Sequence, residues 1–125
     1  VNNQYRGLSS ASFKPEFEAL LNRAIAFAGG DKLKVFVVSI PDYGVTPFGQ
    51  KGDPEKIAKE LDVYNQIQKD ICEAQGILFI DITPISRNAK TDPELIANDG
   101  LHPSAKMYLQ WVELMFMDVL SLVKP

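Results

Sequence analysis

The 125-residue sequence predicts an α/β fold built on a parallel sheet. Two observations carry that expectation. Residues 33–40 (LKVFVVSI) and 77–82 (ILFIDI) are nearly continuous apolar runs rich in β-branched side chains, the pattern of strands buried on both faces. Each run follows a stretch with helical spacing that stops at glycine, so helix and strand alternate as right-handed crossover units require.

Taken in order, residues 14–28 read as the first helix. Pro15 falls in its first turn, and Phe17, Leu20, Leu21, Ala24, Ile25 and Ala28 form one stripe. Gly29 and Gly30 stop it, because glycine adopts the left-handed conformation that closes a helix. The strand at 33–40 ends at Pro41. Residues 42–52, with Gly44, Pro47, Gly49 and Gly52, read as a loop.

Asp53 caps a second helix with Pro54 at its first position, and Ile57, Leu61, Tyr64, Ile67 and Ile71 keep helical spacing up to Gly76. After the strand at 77–82, residues 83–101 read as mostly irregular, with a short turn around 93–97. A final helix is expected from Pro103 to about Leu122, apolar on most of its surface. Two strands are few for a parallel sheet. Further strands are therefore expected, either from a segment preceding Val1 or from a second copy pairing with the exposed sheet edge. The start at Val1 without methionine reads as a processed or cut chain, and the compartment stays open.

Composition narrows the function classes. A 46% hydrophobic content fits a globular core, and a net charge of −3 without a basic run argues against nucleic-acid binding. The one cysteine, Cys72, excludes an internal disulfide, and its place in a helix marks it as a core residue. No apolar stretch reaches the roughly 18 residues of a membrane span. Asp81, Asp92, Glu94, Asp99 and His102 lack a metal-ligand spacing, so no metal or other cofactor is expected. Asp81, at a strand end, is expected to bond the loop after it.

Ligand sites in such sheets lie beyond the carboxyl ends of the strands, where residues 1–12, 42–52 and 83–102 converge. Tyr5, Arg6 and Tyr43 are candidates to line a cleft there. In Asp99-Gly100-Leu101-His102-Pro103, His102 is the single histidine and the natural base near neutral pH. Asp99 lies three residues before it in a glycine-containing turn, within reach of the imidazole. The same residues would also serve as caps of the final helix, and residue types alone leave both readings open.

Asp99-Gly-Leu-His-Pro-Ser104 followed by a long apolar helix resembles the closing block of the SGNH (GDSL-type) hydrolases. Val1-Asn2-Asn3 is similar to the end of that family's Gly-x-Asn-Asp block, with Asn3 in place of the usual aspartate. The runs Gln4-Tyr5-Arg6-Gly7 and Ser39-Ile40-Pro41-Asp42-Tyr43-Gly44 resemble a bacterial subgroup of it. The resemblance implies a three-layer α/β/α, flavodoxin-like fold, of which residues 1–125 would be the C-terminal part of a single domain. It implies an esterase or lipase-like acyl hydrolase acting on a small-molecule, carbohydrate or lipid ester, with Asp99 and His102 catalytic and Asn2 in the oxyanion hole.

The Gly-Asp-Ser nucleophile block of that family does not occur in the chain, and no Gly-x-Ser-x-Gly elbow replaces it. Ser9, Ser10 and Ser12 read as turn or cap residues, Ser39 as part of a strand and Ser104 as a first-turn residue. The chain alone is therefore expected to be inactive. A non-enzymatic α/β module that binds carbohydrate or protein is the competing reading.

Overall fold

The computed structural model describes residues 1–123. Its elements are α1 (Asn2–Tyr5), α2 (Ser10–Phe27), β1 (Phe36–Val38), α3 (Pro54–Gln75), β2 (Leu78–Ile80), α4 (Thr83–Arg87) and α5 (Ala105–Val123), joined partly by single 3₁₀ turns. The strands pair in parallel, Phe36 opposite Leu78, Val37 opposite Phe79 and Val38 opposite Ile80.

Side chains alternate across a strand, and that alternation divides the core. Val38, Leu78 and Ile80 pack with Ile82, Leu95 and with Met107 and Trp111 of α5. Val37 and Phe79 point the other way, joining Leu21 of α2 and Ile71 and Cys72 of α3. The result is α5 on one face, the sheet in the middle and α2 with α3 on the other, the α/β arrangement expected. A third cluster of Tyr43, Ile57 and Leu61, with Ile40 and Leu101 against it, sits at the carboxyl ends of the strands and fixes the rim.

Several boundaries differ from the sequence reading, each for a physical reason. Helix α2 begins at Ser10, because Ser9 in an extended conformation accepts the Ser12 N–H and caps it. Pro15 therefore sits inside the helix, where its missing N–H leaves the Ala11 carbonyl without its i+4 donor. The strands are three residues each, and Lys32–Lys34 is a 3₁₀ turn capped by Asp31. Only one ladder exists among the described residues, so the apolar runs extend past the hydrogen-bonded pairs. Part of 83–101 is ordered rather than irregular: α4 and the turns Asn88–Lys90 and Pro93–Leu95. Helix α5 starts at Ala105, because Pro103 pairs with Ile96 in an antiparallel bridge instead of opening the helix. Helix α5 leaves Leu109, Val112, Phe116 and Met117 exposed. No helix among the described residues is long and apolar enough to cross a membrane.

Candidate active site

The turn that carries Asp99 and His102 is built mainly from its own backbone. Gly100 adopts φ +73°, a conformation costly for residues with a Cβ. That reversal brings the Leu101 and His102 N–H groups onto Asp99 Oδ1, each at 2.9 Å. The other carboxylate oxygen, Oδ2, is then 2.6 Å from His102 Nδ1.

Backbone bonds to flanking residues and to the loop 42–52 hold the turn in place. Ala97 N–H donates to the His102 carbonyl at 2.8 Å, Ser104 N–H to the Leu95 carbonyl at 2.9 Å, and Phe48 N–H to the Gly100 carbonyl at 3.0 Å. A Cβ on Gly100 would lie 3.4 Å from Pro47. The loop 42–52 thus clamps the turn from above.

These bonds decide what Asp99 is doing locally. It does not cap α5; the hydroxyl of Ser104 receives the Met107 N–H at 3.3 Å and takes that role. Asp99 instead accepts three N–H bonds inside the turn when Nδ1 is protonated, and a carboxylate so solvated strongly favours its ionised form. The His102 backbone N–H, the imidazole and the Leu101 N–H together hold its carboxyl at about 2. It therefore stays a carboxylate wherever His102 acts as a base. Oriented this way, the imidazole presents Nε2 as its acceptor, and among the described residues nothing bonds that atom.

Asn2 reaches the same place by a different route. It opens α1, a four-residue helix without a side-chain cap, which cannot be stable on its own account. Gln4, buried within α1, holds it. The Tyr43 hydroxyl donates to Gln4 Oε1 at 2.7 Å, and Gln4 Nε2 donates to Glu60 of α3 at 2.7 Å. Burial raises the Tyr43 phenol above its ordinary value, so it remains a donor. Asn3 Nδ2 is engaged with Glu16 of α2 at 2.7 Å, and Tyr64 Oη donates to the Leu8 carbonyl at 2.6 Å.

Asn2 and His102 line one cavity of about 300 Å³, walled by Tyr5, Pro41, Tyr43, Phe48 and Leu101. Tyr5 and Tyr43 are where such a cleft was expected; Arg6 does not line this cavity. Phe48, Pro41 and Leu101 were not singled out from sequence, although Pro41 and Phe48 border the loop expected at the rim. Gln4 gave no sequence signal, because its partners lie 39 and 56 positions away.

Gly49 is what lets Phe48 take its position. A Cβ there would collide with the Tyr43 carbonyl oxygen, so the loop can close only with glycine.

No serine lines the His102 cavity. Ser39 is buried, its hydroxyl donating to Asp81 at 2.8 Å and receiving the Ile82 N–H. Asp81 bonds Thr83 N–H at 3.0 Å, as expected of a strand-end carboxylate. Ser86 is taken up by the Thr83 carbonyl and Asp42 N–H, and Ser104 by the Glu94 carbonyl. Burial pushes the Cys72 thiol up to about 11, far from nucleophile chemistry at neutral pH. Among the described residues no group of three or more His, Cys, Asp or Glu side chains could hold a metal ion.

Residues 1–109 match the model of the GDSL-like Lipase/Acylhydrolase family. No curated protein and no solved structure gives a significant match. With that match spanning most of its length, the chain belongs to the GDSL-like lipase/acylhydrolase family of hydrolases.

Proposed function

We propose that the chain carries the base, its orienting carboxylate and one oxyanion donor of a Ser-His-Asp acyl-ester hydrolase. The observation that carries this reading is the 2.6 Å Asp99–His102 bond at a cavity that Asn2 also lines. The serine comes from a segment upstream of Val1, since every serine seen near the rim is buried, engaged in a cap or absent from the cavity. The sheet edges, unpaired among the described residues, and the exposed apolar side chains of α5 support such a segment, because both leave surface that a covering strand and helix would bury.

In that enzyme the serine Oγ attacks the acyl carbonyl carbon while His102 Nε2 takes its proton. Asp99 fixes the tautomer and stabilises the imidazolium. The carbonyl oxygen becomes an oxyanion, and Asn2 Nδ2 donates to it. Collapse of the tetrahedral intermediate breaks the ester C–O bond, and the departing alcohol receives the proton from His102. Water then attacks the acyl carbon as His102 takes its proton, the acyl carbon–Oγ bond breaks, His102 returns the proton to the serine Oγ, and the acid leaves. The chemistry proposed needs no metal or organic cofactor.

The test is hydrolysis of a short-chain aryl ester by residues 1–125 alone and by the protein extended upstream. No turnover by the chain and turnover by the extended protein are expected. Turnover by the chain alone would overturn the nucleophile assignment. Full activity of the extended protein as His102→Ala would overturn the base. An extended protein without any esterase activity would favour a binding module.

A further inference from the structure

The loop 42–52 touches both halves of the site, and one buried carboxylate ties it to the rest of the molecule. The Tyr43 hydroxyl reaches Gln4 and so α1, while the Phe48 N–H and Pro47 reach Gly100 in the His102 turn. Between Tyr43 and Gln50 the loop is bonded to itself. Thr46 is buried there, and its N–H and hydroxyl both donate to the Tyr43 carbonyl. Its Oγ1 also accepts the Gly49 N–H at 3.0 Å, and Gln50 Nε2 donates to the Gly44 carbonyl at 2.7 Å. A segment so cross-linked shifts as a unit, so its anchor sets where it lies.

That anchor is Asp42. Its side chain is 2% exposed and meets two donors from different elements. Oδ1 accepts the Gly44 N–H of its own loop at 2.8 Å, and Oδ2 accepts Nε–H of Arg87, the last residue of α4, at 2.9 Å. The Asp42 N–H donates to Ser86 Oγ, also in α4, at 2.8 Å. Helix α4 is a firm base, since Thr83 at its start bonds the Ile40 carbonyl and Asn65 of α3. Arg87 reaches on through Nη2 to Asp62 of α3 at 2.7 Å, so its guanidinium bridges two carboxylates.

The pair exceeds what the turn needs. An asparagine would cap Gly44 as well as an aspartate does. A buried carboxylate carries a desolvation cost, offset only when its oxygens are well bonded and its charge is paired. Two acceptor oxygens are required to serve Gly44 and Arg87 at once, and the planar guanidinium fixes the direction of approach. A buried pair of this kind contributes less to stability than to selecting one arrangement.

We infer that the Asp42–Arg87 pair is the latch that sets loop 42–52 against the His102 turn and α1. Asp42 and Arg87 are then positioning residues for His102 and Asn2. The catalytic part rests on the hydrolase reading above; the latch rests on its own bonds.

The test is amide hydrogen exchange on the 125-residue chain, followed by NMR at three N–H groups. Phe48 reports the loop against the turn, Gly49 the inside of the loop, and Ile77, bonded to the Cys72 carbonyl, the far end of the sheet. Asp42→Asn should speed Phe48 about tenfold relative to the other two, the size of one lost bond to a charged group. Should Asp42→Asn fail to fold, Arg87→Gln, at a half-buried position, replaces it with the same expectation. Equal acceleration at all three would make the pair a stabilising contact only. Acceleration of Phe48 and Gly49 together would mean that the loop melts rather than moves, and no acceleration would mean no latch. Each of these overturns the inference. In the upstream-extended protein the same variants should lower kcat roughly 10–100-fold, the scale of a small misplacement of reacting groups. Arg87→Ala should lose as much and regain part of it with added ethylguanidinium. Unchanged kcat in an active extended protein would overturn the positioning role. Selective exchange at Phe48 with no hydrolysis by the unaltered extended protein would remove the hydrolase reading and leave the latch.

Discussion

The turn around Asp99 and the one-turn helix α1 reach the same cavity by opposite means. Asp99, Gly100 and His102 are set mostly by bonds within a few residues, Asp99 Oδ1 accepting two backbone N–H groups of its own turn, with the Phe48 N–H to the Gly100 carbonyl as the one bond from far along the chain. Asn2 is set by side chains from far along the chain, with Gln4 joining Tyr43 on one side and Glu60 on the other. The difference teaches where each half of the site is vulnerable. The His102 turn is protected mostly by local geometry, while Asn2 depends on tertiary packing that a distant change can loosen.

For the hydrolase proposed above, variants of the upstream-extended protein can break this contrast at known points. The largest effect belongs to the turn's side chains. His102→Ala should lower kcat by roughly 10⁴–10⁶-fold, and Asp99→Asn by about 10⁴-fold through loss of the correct tautomer. Single-turnover acylation kinetics would check both, and a loss below tenfold in either would remove that residue from the chemistry. Asn2→Ala comes next. Losing one oxyanion donor costs about 2.7–4 kcal/mol, or 10²–10³-fold in kcat with little change in KM. A pure KM effect would instead make Asn2 a substrate-binding residue.

Gln4→Leu probes how Asn2 is held. It strands the buried Tyr43 hydroxyl, while Glu60 keeps Lys56, so stability should fall by about 1–3 kcal/mol. If α1 is placed by this bridge, kcat should fall further than in Asn3→Ala, which also removes a bond from α1 but an exposed one. Equal kcat in the two would mean that α1 is placed by its packing. Gly100→Ala should act in the opposite region, and by the smallest amount. At φ +73° the left-handed penalty is about 1–2 kcal/mol. Urea titration should show that loss, and pairing it with Gln4→Leu should give additive effects if the two halves are held independently.

The same contrast explains what could be read from the sequence. Helix α3 was legible at both ends because its signals are local: Asp53 accepts the Lys56 N–H, and Gly76 takes φ 68°. The two strands were legible as runs, but their ends were not, because a ladder's length is set by its partner. Helix α4 was missed since Thr83–Arg87 is too short for a helical period to show. Pro15 misplaced the start of α2, because Ser9 offered a cap six residues before the proline. Asp99 and His102 could be singled out from a five-residue stretch. The residues that place Asn2 could not, because nothing in Gln4 announces Tyr43 or Glu60.

Cys72 is fully buried between α2, α3 and the sheet, and its thiol stays protonated well above neutral pH. A thiol-alkylating reagent can reach it only when that layer opens, and then only through the small thiolate fraction. As the sole cysteine, it makes the native protein its own clock: the rate of alkylation times the opening of the helical layer behind the sheet. No label has to be engineered, and the readout lies on the side of the molecule away from α5.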